Sequence, residues 1–134
     1  NPGWKEAFLH PKGALGIVVQ MAEVGAAPDE ENWGGDFPFP ASPALRGEPA
    51  EIVGLRMTAR SEERARRQWE GLLGATVIED DGLLLFRWSG SSMRIAVAID
   101  QDRSEGTVGI EFASDRPRLD EGTHLGVRFL RQAP

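Results

Sequence analysis

Ile52-Val53-Gly54-Leu55-Arg56-Met57-Thr58, followed by Ala65-Arg66-Arg67-Gln68-Trp69-Glu70-Gly71-Leu72-Leu73-Gly74, is the stretch that decides the fold. The first run is apolar with β-branched members and reads as a strand. Ser61 then stands as a helix N-cap with Glu62 and Glu63 in the first turn, where carboxylates complement the helix dipole. Ala65, Trp69, Leu72 and Leu73 recur at helical spacing and predict one apolar stripe, and Gly74 closes the helix. Three further strands are predicted at 75–79, 83–88 and 93–99, the first two joined by the turn signal Asp80-Asp81-Gly82. The unit is therefore β-α-β-β-β over 51–100. Two more apolar runs, at 107–113 and 125–130, predict strands beyond it.

Upstream, Ala7-Phe8-Leu9 and Gly16-Ile17-Val18-Val19-Gln20-Met21 flank the punctuation His10-Pro11-Lys12-Gly13 and predict a β-hairpin, 4–9 with 15–22. Residues 25–50 hold Pro28, Pro38, Pro40, Pro43 and Pro49 together with Gly34, Gly35 and Gly47, a density of breakers that reads as a linker. Its aromatic residues Trp33, Phe37 and Phe39 read either as rings packed on the protein's own sheet or as an extended ligand for another protein. The chain thus divides into a hairpin at 1–24, a linker at 25–50 and a main body at 51–134.

The 134 residues suffice for about one domain. With 40% apolar and 27% charged residues, and no run approaching ~18 apolar residues, the composition is that of a globular protein without a membrane-spanning helix. The formal charge of −6 and the lack of a basic stripe exclude a nucleic-acid binder. There is no Cys, which removes disulfides, thiolate metal sites and a cysteine nucleophile, and His10 and His124 are the only imidazoles. The opening Asn1-Pro2-Gly3-Trp4-Lys5-Glu6 has no basic segment followed by an apolar one, so a cytoplasmic setting is expected.

The order of these elements resembles the vicinal-oxygen-chelate superfamily, which includes glyoxalase I, methylmalonyl-CoA epimerase, the bleomycin-resistance proteins and extradiol dioxygenases. Its modules are βαβββ units, and their helix ends in an aromatic residue, a short spacer and Leu-Gly. Trp69 and Leu73-Gly74 match that ending. Phe8-Leu9-His10-Pro11-Lys12 with Gly16 to Met21 resembles the final hairpin of epimerase-like members, and Val108 to Ala113, closed by Ser114-Asp115, resembles the first strand of a following module. The resemblance implies an α+β fold: one βαβββ module paired with a degenerate second module in a glyoxalase-like sheet cleft. Between Phe112 and Val127 the stretch Ser114 to Gly126 is too short for a crossover helix, so the second module is expected to be completed by the hairpin, within one chain or swapped between two.

The resemblance also implies chemistry. The superfamily holds a divalent metal with His, Gln and Glu residues, and the metal polarises a substrate oxygen. The first-strand imidazole position falls on Ile52, its equivalent in the following strand on Val108, and the last-strand carboxylate on Gln20. A substitute set of Gln20, Glu111 and His124 is the remaining metal candidate, and no cofactor is expected with it. Cleft-lining candidates are Ile52, Gly54, Arg56 and Thr58 on one strand and Val108, Ile110 and Phe112 on the next, an alternation that turns Glu111 to the opposite, wet side. Arg56 is either a clamp for a carboxylate or a solvent-exposed cation. Two functions follow: a small-metabolite lyase or isomerase with an incomplete metal site, or a non-catalytic, resistance-type module that binds a small molecule. The expected partners are a small-molecule ligand and a second copy in a homodimer, with neither nucleic acid nor membrane.

Overall fold

The computed structural model describes residues 4–24, 51–113, 122–124 and 126–131. Strands β1 (Trp4–Leu9) and β2 (Val19–Val24) form a hairpin. Then come β3 (Glu51–Ala59), helix α1 (Glu62–Arg66) running on into a π-helical segment (Arg67–Leu72), β4 (Thr76–Asp80), β5 (Leu83–Arg87) and β6 (Arg94–Ile99). β7 (Gly106–Ala113), β8 (Gly122–His124) and β9 (Val127–Arg131) complete the described elements. The α+β class and the β-α-β-β-β order over 51–100 are as the sequence predicts. The 25–50 linker, its three aromatic residues and most of the stretch between β7 and β9 lie outside the described residues.

One mixed sheet carries the architecture, in the order β4-β5-β6-β3-β7-β9-β8. In its first half β3 runs parallel to β6, while β5 and β4 extend the sheet antiparallel. The second half repeats part of this: β7 runs parallel to β9, and β8 lies antiparallel beside β9. The halves join where β3 and β7 pair antiparallel, so the two first strands sit side by side at the centre.

That central pair holds two irregularities. The register steps from Ile52↔Phe112 to Gly54↔Glu111, leaving Val53 as an extra residue in β3. It steps again from Arg56↔Gly109 to Met57↔Thr107, leaving Val108 extra in β7. Each bulge exchanges the faces that simple alternation would assign.

The core lies on the face toward α1, where Met57, Ala59, Leu84, Phe86 and Val97 meet Ala65 and Trp69. Ser61 caps the helix as the sequence predicts, its hydroxyl accepting from the Arg64 amide at 3.3 Å. The predicted stripe is corrected at Leu72, which is 62% exposed, while Gln68 is buried. The π-helical segment is the cause: its wider turn keeps Ala65, Trp69 and Leu73 in line toward the core and carries Leu72 out.

The hairpin also differs from expectation. Its second strand starts at Val19 rather than residue 15, because residues 11–16 form successive turns. Leu15 and Ala14 leave the strand pattern and are fully buried, Leu15 within the main core. Gly16, with φ +80°, passes so close to the Glu105 carbonyl that a Cβ would collide with it. Arg64 ties this turn down, donating to the Lys12 carbonyl at 3.3 Å and to Glu105 at 2.7 Å. Same-chain joining of the hairpin to the C-terminal strands is not what forms: β1 and β2 make a separate two-stranded sheet, and β7 is flanked by β3 and β9.

Candidate functional site

The sheet face opposite α1 carries the chemistry. Its residues follow from register, since directly paired positions share a face. One row crosses five strands as Arg87, Arg94, Gly54, Glu111 and Leu130. The next holds Leu85, Ala96, Arg56 and Gly109, and the third Leu83, Ala98, Thr58 and Gly106.

Glu111 is the centre of this face. It is 1% exposed, and both its oxygens accept from guanidiniums. Arg56 donates to Oε1 through Nε at 2.9 Å and Nη2 at 2.7 Å, and Arg94 donates to Oε2 through Nε at 2.7 Å. Such charge-assisted bonds are the strong class. Gly54 makes them possible. It sits in register between Arg94 and Glu111, and without a side chain there Arg94 reaches across β3; a Cβ at Gly54 would strike the Arg94 carbonyl. Burial acts to raise the Glu111 carboxyl, but the hydrogen bonds from Arg94 and Arg56 outweigh it and hold the group below the usual carboxylate range. It is therefore a committed anion.

The cleft-lining candidates separate accordingly. Gly54, Arg56 and Thr58 share this face with Glu111, whereas Ile110 pairs with Leu55 on the helix side, and Phe112 follows Ile110. Val108 is a bulge residue, and Ile52 is more than half exposed. The sequence expectation that Ile110 faces the cleft and Glu111 stands wet on the other side is corrected by the two bulges. Arg94, which completes the cluster, was not singled out. The signal available for it was a cation at the start of an apolar strand, opposite a glycine.

The implied divalent metal does not fit these residues. Ile52 and Val108 bring no donor atom. Gln20 lies on the hairpin and donates to Glu6 at 2.8 Å, and Glu111 spends both oxygens on two guanidiniums whose charge opposes a cation. His124 is on β8, paired with Val127. Among the described residues no three His, Asp or Glu side chains converge as a metal site. Also among the described residues, no helix is long and apolar enough to cross a membrane.

No family model and no curated protein matches the chain. Among solved structures it is similar to a hypothetical protein from Staphylococcus aureus, with TM-score 0.51 and 8% identity over 62% of this chain and 34% of that one. A hypothetical protein from Bacillus halodurans overlaps 52% of this chain and 62% of its own, with TM-score 0.40 and 13% identity. The chain thus spans about a third of the first protein's length, and that likeness extends to the fold alone.

Proposed function

We propose that this chain is a glyoxalase-like domain of the vicinal-oxygen-chelate type that holds a small molecule on the sheet face bearing Arg56, Arg94 and Glu111, without turning it over. The superfamily reading is supported by the βαβββ unit with its order β4-β5-β6-β3 and parallel β3–β6 pair, abutted by a second half of like pairing. The observation that carries the choice of function is the state of Glu111. A carboxylate gripped by two guanidiniums and kept ionised is a poor proton acceptor and offers no oxygen to a metal. The lyase or isomerase reading needs one of those roles filled, so the resistance-type binding module is preferred. A cytoplasmic setting suits it.

A second copy is the macromolecular partner this reading expects. β1–β2 leaves Phe8 and Met21 exposed, and in a homodimer the hairpin of one chain would extend the three-stranded half of the other.

The test is a small-molecule screen by thermal shift on the whole protein, followed by crystal structures of the hits. Hits occupying the arginine face are expected. Hits confined to other surfaces, or lyase or isomerase turnover on supplying a divalent ion, would overturn the proposal.

A further inference from the structure

We infer that the molecule held on this face carries a carboxylate, gripped by the unspent edges of the Arg94 and Arg56 guanidiniums. The inference rests on the ligand-holding reading above and gives it a chemical class.

Donor accounting is the first ground. A guanidinium has five N–H donors in a fixed planar fork. Arg94 is 12% exposed and, among the described residues, spends only its Nε–H, on Glu111. Arg56, one-third exposed, spends Nε and Nη2 and keeps Nη1. Among the described residues, neither the Arg94 Nη atoms nor Arg56 Nη1 is a sealed, partnerless nitrogen, so these N–H groups meet whatever occupies the face. Their fork geometry matches two carboxylate oxygens.

Charge is the second ground. Two guanidiniums against Glu111 leave one positive charge, which a monoanionic carboxylate balances and a phosphate dianion overshoots. Arg87, directly opposite Arg94, adds an exposed cation, and Arg128 shares the face from β9. Among the described residues the other carboxylates on this face are Glu51, which accepts from the Ser92 hydroxyl at 3.2 Å, and Asp80 at the far corner on β4. In a chain of net charge −6 this positive spot is local and steers anions to itself.

Exposure is the third. Gly54, Leu85, Ala96 and Thr58 are buried, while Arg87 is exposed and Arg56 one-third exposed, so the cluster is approached from its arginine side chains.

The experiment titrates acetate, benzoate and succinate, their neutral amides and inorganic phosphate into the whole protein. It follows the arginine Nε–Hε and backbone amide signals by nuclear magnetic resonance at millimolar concentrations. Carboxylates are expected to shift the Arg94 and Arg56 signals saturably, with the amides weaker by about tenfold or more. Arg94→Lys keeps the charge but removes the fork and is expected to weaken carboxylate binding roughly tenfold. Arg87→Glu, at an exposed position outside the cluster, is expected to weaken it several-fold with the fold intact, so the inference stays testable if Arg94→Lys does not fold. Amides binding as well as carboxylates, or phosphate binding more tightly, would overturn the carboxylate while leaving the ligand-holding face standing. Carboxylates that leave both arginine signals unmoved, when neutral hits from the screen do bind this face, would overturn the inference alone. If nothing binds the face, both readings fall.

Discussion

Glu111 links stability to the proposed site. Replacing it with Gln removes the negative charge that both guanidiniums share, and breaking a buried ion pair from one side costs on the order of 3–5 kcal/mol. Partial exposure of Arg56 favours the lower figure. Denaturant unfolding of Glu111→Gln checks this, and a midpoint equal to the parent's would show that the cluster is not a stabilising element. The pH dependence has a definite sign. The folded Glu111 carboxyl lies below its unfolded value, so its contribution is complete above the ordinary carboxylate range and lost as pH falls through the depressed folded value. The parent should therefore lose stability on acidification more steeply than Glu111→Gln does. Gly54→Ala should also unfold more easily and weaken ligand binding, since its Cβ strikes the Arg94 carbonyl and blocks Arg94 from crossing β3. Arg56 was legible only as one of two things, a carboxylate clamp or a solvent-exposed cation. Its partner was not, because two single-residue bulges at Val53 and Val108 exchange the faces of β3 and β7, and nothing in local alternation announces a bulge.

At the level of elements, α1 and its π-helical extension hold the sheet in place through Trp69. The ring is buried and stacks edge-on to Trp88 at 6.1 Å and tilted to Phe86 at 6.4 Å. Trp88 in turn donates its indole N–H to the Leu73 carbonyl at 2.6 Å, which pins the helix end. Trp69→Ala should cost about 3–5 kcal/mol in denaturant unfolding; an unchanged midpoint would mean the ring is not packed. Leu15→Ala should cost about 2–5 kcal/mol by the same measurement, although it sits in a turn, because its side chain lies in the main core. The helix start was readable because Ser61 and two glutamates are local signals. The change to π-helical winding, which buries Gln68 and frees Leu72, depends on packing against the sheet and leaves no mark in the apolar spacing.

For the molecule as a whole, the strand order of the first half follows from βαβββ connectivity, and the sequence shows that connectivity well. The short β8 escaped notice because Gly122-Thr123-His124 has no apolar pattern and takes its strand character from pairing with β9. The hairpin's separateness was equally hidden, since an apolar strand shows that it must pair but not with what. If a second copy takes up the hairpin, sedimentation equilibrium should give a dimer that Phe8→Asp converts to monomer, and a monomer at all concentrations would remove that partner. The central claim, that the arginine-bearing face opposite α1 is where a small molecule is held, has one most direct test. Amide and arginine side-chain resonances of the whole protein are followed while a hit from the thermal-shift screen is added. The account predicts that shifts gather at Gly54, Gly109 and the Nε–Hε groups of Arg56 and Arg94, with α1 and the 4–24 hairpin unmoved. Shifts gathered on α1 or the hairpin, with the two arginines silent, would contradict it.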